Sequence, residues 1–130
     1  MSTWRRKAIE SVPDLRHDFE QADTTIYQVF FDLLPRVCDA HARKDTQELQ
    51  RIYDFAQWCF HQKADDLRNA AAVAFYEHLV DDPITLSQIP RWLQPDVFND
   101  CKSLFEARLE SEQFRELCER YARRHEIPVA

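Results

Sequence analysis

The fold class is decided by one stretch of the chain, Asp65-Asp66-Leu67-Arg68-Asn69-Ala70-Ala71-Ala72-Val73-Ala74-Phe75. Its apolar residues recur three and four positions apart, which is typical of a buried α-helix. Its alanines are small, so neighbouring helices can approach this one closely. We therefore expect a central helix that Asp65 or Asp66 caps and that ends near Val80.

Helical spacing also extends outward from this stretch towards both ends of the chain. Apolar stripes run from Trp4 to Ala22, from Ile26 to His41 and from Leu49 to Phe60, and others follow Pro95. No segment shows the convincing alternation of apolar and polar residues that marks a strand. The sequence predicts a single all-α domain over residues 1–130, with six or seven helices packed as stacked antiparallel hairpins.

The chain contains no glycine and six prolines. The absence of glycine excludes a Gly-rich phosphate loop, a dinucleotide fingerprint and a G-x-S-x-G nucleophile elbow. Turns must then be built by prolines and polar caps, so we expect Pro35 to bend or restart its helix and Asp82-Pro83 to end the central one. Residues 83–93 are expected to be irregular around a short helical turn, and Pro95 to open the next helix. Such stiff turns favour a preformed docking surface over an enzyme with a closing lid.

The negative charge is concentrated in the middle of the chain. The net charge is −6, and residues 45–82 hold three basic and eight acidic residues. An acidic surface repels nucleic acid and attracts basic partners. The chain also lacks an apolar stretch long enough to span a bilayer, and no apolar segment follows the basic residues at its start. We therefore expect a cytoplasmic protein that binds neither nucleic acid nor membranes.

The residues that could carry chemistry do not form a complete site. The four cysteines are spread singly, without a C-x-x-C pair, and are expected to be reduced, buried thiols. Cys38 and His41 lie three apart on one helix, but no second pair completes a zinc site, so no metal or cofactor is expected. A Cys–His dyad across two helices, with His41 beside Cys38 or Cys59, is one alternative, and paired carboxylates are another. No residue is assigned a catalytic role.

Residues 45–80 resemble a HEAT-like helical repeat. The matching features are an acid at the helix start, Asp65 or Asp66, then Arg68, then alanines along the seam between two helices. The resemblance implies a two-helix hairpin in which the acid and the arginine are structural and pair with neighbours. A short array of pseudo-repeats and an irregular bundle both remain open.

The same region also resembles small all-helical bacterial proteins of unassigned function, some of which are immunity-like partners of secreted toxins. The resemblance rests on the stretch Arg51-Ile52-Tyr53-Asp54-Phe55 of an aromatic-rich helix and on the later run Phe75-Tyr76-Glu77-His78-Leu79. It implies a protein that binds and neutralises a partner, and it identifies no functional residue.

Together these features predict a module that binds another protein, with a basic partner that would be a toxin in the immunity-like version. Acids of the middle segment would steer the partner, and Arg91 and Trp92 would anchor it, because arginine and tryptophan are frequent at interface hot spots. The alternatives are a structural domain that forms homodimers through its apolar stripes, and an enzyme with one of the sites above. The predicted partner-binding residues are Asp54, Asp65, Asp66, Glu77, Asp81, Asp82, Arg91 and Trp92.

Overall fold

In the computed structural model, which describes residues 1–127, the chain is helical from Asp65 to Asp81. The pitch changes twice along this segment. An α-helix, α5 (Asp65–Ala70), passes into a π-helical turn (Ala71–Phe75) and then into a 3₁₀-helix (Tyr76–Asp81). The π-helical turn packs against two other helices, and the alanine side chains at its inner face are fully buried.

Residues 1–127 contain eight α-helices and no strand, which confirms the all-α class and exceeds the six or seven helices expected. They pack around one hydrophobic core, in which Phe30 stacks on Phe55 and contacts Phe75, with ring centroids 5.3 and 5.6 Å apart. Besides α5, the helices are α1 (Thr3–Ser11), α2 (Arg16–Phe19), α3 (Ile26–Arg43), α4 (Thr46–Phe60), α6 (Pro83–Trp92), α7 (Pro95–Arg108) and α8 (Ser111–His125).

The predicted cap of α5 is wrong. The residue before the helix is Ala64, whose backbone is extended and whose side chain cannot accept a hydrogen bond. Asp65 and Asp66 already lie in the first turn, where negative charge is favoured by the helix dipole. The carboxylate of Asp66 accepts a hydrogen bond from the backbone N–H of Leu67 at 3.0 Å.

Each helix of the α3–α4 hairpin has a side-chain N-cap, and a proline within α3 does not break that helix. Thr25 and Asp45 accept hydrogen bonds from the backbone N–H groups of the third residues of α3 and α4, both at 3.1 Å. α3 does not restart at Pro35 but continues to Arg43. Lys44 then takes a left-handed conformation, with φ of 57°, which ends the helix without glycine.

The segment 83–93, expected to be irregular, is the helix α6 over almost its whole length. Pro83 occupies the first helical position, where it has no N–H to lose. The Asp82 carboxylate accepts from the backbone N–H of Ile84 at 2.9 Å, so the Asp-Pro pair that ends one helix also begins the next. Pro90 comes near the end of α6, where it removes only one ladder bond.

The last described helix, α8, packs on α6 and α7. It begins with a capping box, in which Glu110 and Gln113 exchange hydrogen bonds with each other's backbone. Its last turn carries Arg123, Arg124 and His125, as the helix dipole favours. None of the helices in residues 1–127 is both long and apolar enough to cross a membrane.

Candidate functional site

A groove of about 480 Å³ lies between α5 and α7 and is open to solvent. We call it the α5–α7 groove. The first turn of α3 and the last turn of α4 also contribute to its walls. Its lining residues are Tyr27, Phe60, Asp65, Asp66, Arg68, Asn69, Ala72, Asp100 and Cys101.

Arg68 organises one wall of the α5–α7 groove. Its guanidinium group lies 4.1 Å from the centroid of the Phe60 ring and donates to the Phe60 carbonyl oxygen at 2.8 Å. It also pairs with Asp100 of α7, with Nη2 and Oδ2 3.0 Å apart. Arg68 therefore links α4, α5 and α7. Asp65 and Asp66, the acids of the HEAT-like pattern, make no ion pair within residues 1–127.

The charge of the α5–α7 groove is negative. Asp65, Asp66 and Asp100 face a single cation, Arg68. The carboxylate of Asp65 has no hydrogen-bond or ion-pair partner in the described part of the chain, and both Asp65 and Asp66 are exposed. The structure brings two sets of predicted binding residues to concave surfaces. Asp65 and Asp66 line the α5–α7 groove, and Asp54, Arg91 and Trp92 line a second groove.

The opposite wall of the groove is partly apolar. The Tyr27 hydroxyl accepts a hydrogen bond from the Asn69 side-chain amide at 2.8 Å, which ties α3 to α5. One helical turn further along α3, Phe31 is 45% exposed and lies against His78, with ring centroids 5.8 Å apart. An aromatic ridge therefore continues from the groove along α3.

The other predicted acids are separated from this site. Glu77 and Asp81 both face Arg108 of α7, and Asp81 accepts from it at 2.9 and 2.7 Å. Asp81 also contacts His78, and the hydrogen bonds from Arg108, with a smaller contribution from His78, hold the pKa of the Asp81 carboxyl below its ordinary value. These two acids are neutralised within the protein.

Asp54 and Asp82 lie apart from both groups. The Asp54 carboxylate accepts from the Gln50 amide at 2.8 Å and borders a different groove, beside Trp58. Asp82 is the cap of α6. The six acids predicted to act together therefore occupy four separate environments, and only two of them line the α5–α7 groove.

The two predicted anchors do not lie in a loop. Trp92 is the last residue of α6, is half-buried, and stacks on Tyr53 with ring centroids 5.0 Å apart. The ring of His41 meets Trp92 edge-on at 6.1 Å. Arg91 is exposed, 5.7 Å from the centroid of the Trp92 ring. Much of Trp92 is therefore committed to internal packing, whereas Arg91 is available to solvent.

The cysteines are poor nucleophiles in these positions. Burial raises the pKa of the Cys59 and Cys101 thiols to about 12 and also raises the pKa of Cys38 and Cys118. A thiol that stays protonated at neutral pH is not activated for attack. The Nε2 atom of His41 hydrogen-bonds the Tyr53 hydroxyl at 2.8 Å rather than a cysteine.

No group of three or more potential metal ligands converges within residues 1–127. Near the α5–α7 groove, Nε2 of His61 and Oδ2 of Asp96 lie 2.6 Å apart, and this contact holds the pKa of Asp96 below its ordinary value. The contact joins the end of α4 to the start of α7, parallel to the Arg68–Asp100 pair. Both contacts bridge to α7 beside the groove.

Residues 5–110 match a family described as Domain of unknown function (DUF7674). The chain belongs to this family. No curated protein and no solved structure matches the chain. The DUF7674 match includes every residue that lines the α5–α7 groove, and it ends before α8 begins.

The groove residues missed by sequence reasoning are Tyr27, Phe60, Asn69 and Asp100. They lie on four different elements, and the contacts that assemble them join residues up to 42 positions apart. No local pattern in the sequence marks such a set. The role of Asp82 could have been found, because an aspartate directly before a proline is a common helix start.

Proposed function

We propose that this protein binds another protein by receiving a basic segment of its partner in the α5–α7 groove. The observation that carries the proposal is the composition of the groove: three carboxylates, Asp65, Asp66 and Asp100, against the one cation Arg68. A lysine or arginine side chain of the partner would find an unpaired carboxylate at Asp65 without displacing an internal contact. The Arg68–Asp100 and His61–Asp96 contacts join α5 and the end of α4 to α7 beside the groove.

The aromatic ridge beside the groove supports a protein partner rather than a small cation. Tyr27 and Phe31 would pack against apolar side chains of a longer segment, and aromatic residues are enriched at protein interfaces. The carboxylates would raise the association rate and fix orientation, and the ridge would supply the buried area. This division of roles agrees with an excess of negative charge over the whole chain.

The experiment uses a fluorescently labelled lysine- and arginine-rich peptide as the probe. Binding is measured by anisotropy at low and at high salt with the wild-type protein and with the variant Asp65→Lys/Asp66→Lys. We expect the variant to weaken binding by about tenfold or more, because two attractive charges become repulsive. We expect binding by the wild type to weaken as salt is raised.

A matched control separates the groove from the general negative charge. Asp18→Lys/Asp23→Lys makes the same change in net charge at two exposed residues outside the groove. Near wild-type affinity is expected for this control. Equal weakening by both variants would show that the peptide responds only to net charge, and the proposal would be wrong.

The resemblance to immunity-like proteins suggests a narrower version, in which the partner is a toxin. Its test is co-expression with a toxin encoded beside this gene, comparing protection by the wild type, by Asp65→Lys/Asp66→Lys and by the Asp18→Lys/Asp23→Lys control. Protection that is lost only in the groove variant would support the toxin version. Protection by all three proteins would contradict it.

Homodimer formation through apolar stripes stays a separate prediction. In residues 1–127 these stripes face the hydrophobic core, and Phe31 is the exposed large apolar residue within a helix. Sedimentation of the wild type and of Phe31→Ser tests it. A dimer that persists at high salt and is lost in the variant would favour the apolar dimer over the groove-based proposal.

A further inference from the structure

Four arginines meet where the end of α6 approaches the end of α8. Arg91 comes from the last turn of α6, and Arg120, Arg123 and Arg124 come from α8. The three arginines of α8 border one groove with Pro90, and Arg124 and Arg91 border an adjoining one. We call this surface the arginine patch.

The guanidinium groups of the arginine patch have no carboxylate within ion-pair distance among residues 1–127. Several arginines elsewhere form ion pairs, as in Arg36 with Glu48, Arg68 with Asp100 and Arg108 with Asp81. The helix dipole favours a cation at each helix end, but it does not explain why two cationic helix ends lie side by side. In a chain of net charge −6, a local excess of positive charge requires a further reason.

The helix that carries most of the patch is firmly held. α8 donates three hydrogen bonds to backbone carbonyl oxygens near the end of α6: Arg120 to Ser87 at 3.0 Å, Tyr121 to Leu93 at 2.6 Å, and His125 to Pro90 at 2.7 Å. The Tyr121 ring is stacked between Phe98 and His125, with centroids 3.8 and 4.1 Å away. The helix that carries three of the four arginines is therefore held against α6, whereas the side chains of Arg123 and Arg124 are exposed.

Neutral donors extend the patch. Gln50, Gln57 and Gln94 line the groove shared by Arg91 and Arg124, and Trp92 presents its partly exposed ring there. Asp54 is the acid of this groove, and its carboxylate accepts from Gln50. Guanidinium and amide groups at one surface suit carboxylate oxygens, which accept several hydrogen bonds each.

We propose that the arginine patch binds a carboxylate-rich segment of another protein. A short acidic segment complements the charge of the four arginines. A long nucleic acid would extend beyond the patch and be repelled by the acidic remainder of the chain. This second surface is distinct from the α5–α7 groove, since the two share no lining residue. It also lies largely on α8, outside the residues that match the family.

The test measures anisotropy of a labelled glutamate-rich peptide with the wild-type protein and with Arg123→Ala/Arg124→Ala. Arg120 is kept, because it also holds α8 to α6. We expect binding by the wild type and about a tenfold loss in the variant. Arg6→Ala/Lys63→Ala is the matched control, with the same change in net charge at two exposed residues that make no ion pair among residues 1–127, and near wild-type affinity is expected.

Three results would overturn the proposal: no binding of the peptide by the wild type, equal loss in the control, or tighter binding of a single-stranded DNA of equal charge that is lost in the same variant. Circular dichroism confirms that each variant is folded. The variant Asp65→Lys/Asp66→Lys is expected to leave binding of the acidic peptide intact. Failure of the groove proposal and failure of the patch proposal are therefore distinguishable.

Discussion

The α5–α7 groove and the arginine patch use arginine differently. At the α5–α7 groove, Arg68 is stacked on Phe60 and paired with Asp100, and its charge is satisfied inside the protein. At the arginine patch, Arg123 and Arg124 are exposed and make no ion pair with a carboxylate in the described part of the chain. The first arginine joins helices to one another, whereas the other two leave their charge at the surface.

The acidic residues also divide into those that are paired within the protein and those that are not. Glu48 is 4% exposed and pairs with both Arg36 and Arg43, at 2.6 and 2.7 Å, so it is a structural charge that joins α3 to α4. Asp65, in contrast, is exposed and has no partner among residues 1–127. Charge sign alone therefore does not identify a binding residue, and the contacts of each group are needed.

The largest effect is expected from Glu48→Ala. It removes the carboxylate that Arg36 and Arg43 share. Arg36 keeps Asp14, and Arg43 keeps Asp39 and Asp45, so we expect the free energy of unfolding to fall by about 2 kcal/mol. The measurement is urea denaturation, with the exposed Glu116→Ala as control, for which a change within about 0.5 kcal/mol is expected. A similar small change in both variants would mean that Glu48 contributes no more to stability than an exposed acid does.

The next effect concerns the attachment of α8. Tyr121→Phe removes the hydroxyl that donates to the buried Leu93 carbonyl, and a loss of roughly 1.5 kcal/mol in stability is expected. Amide hydrogen exchange should become faster in α8 than in α5, because the lost bond holds α8 to the residue that follows α6. An equal increase in both helices would mean that α8 and α5 do not unfold locally as separate units.

A smaller effect on stability is expected for Arg68→Ala, together with a change in binding. Loss of the stack on Phe60 and of the partly exposed pair with Asp100 should cost about 1 kcal/mol in stability. The same substitution removes the cation from the groove, so the basic peptide should bind the variant more tightly than it binds the wild type. Arg123→Ala is the control, and it should change neither quantity.

The smallest effect is a pH dependence near Trp92. Burial, with a smaller contribution from the Arg91 charge, lowers the pKa of His41 from its ordinary 6.5, and its neighbours are the Tyr53 hydroxyl and the Trp92 ring. The unfolded chain then binds a proton at higher pH than the folded one, so stability should fall as the pH drops below 6.5. Thermal unfolding between pH 7 and 5 should show a weaker slope in His41→Gln, and equal slopes would contradict this assignment.

Local signals predicted much of the fold. Apolar spacing predicted the all-α class, and the caps at Thr25 and Asp45 and the start at Pro95 were readable from residue type. The pitch change in the central helix and the helix over residues 83–92 could not be read from the sequence. Both depend on packing against other helices and on the Asp82-Pro83 pair, which can end one helix or begin the next. Pro83 and Pro95 mark helix starts, whereas Pro35 and Pro90 lie inside helices, so a proline alone does not locate an element boundary.

The candidate sites were less predictable than the fold. Asp65 and Asp66 were found from charge, but Asp100, which joins them in the groove, lies 32 positions from Arg68. The three arginines of α8 are visible in the sequence, whereas their meeting with Arg91 depends on how α8 lies on α6. Proximity between helices is a property of the packed structure, and periodicity carries no information about it.

The most direct test of the account is to map both peptide probes on the protein by amide chemical shifts. We expect the lysine- and arginine-rich peptide to perturb the amides of residues 65–72 and Asp100, and the glutamate-rich peptide to perturb those of Arg91 and residues 120–125. Saturable shifts in these two separate sets would support two binding surfaces of opposite charge. Shifts from both peptides in one common set, or diffuse shifts over all charged surfaces, would contradict it.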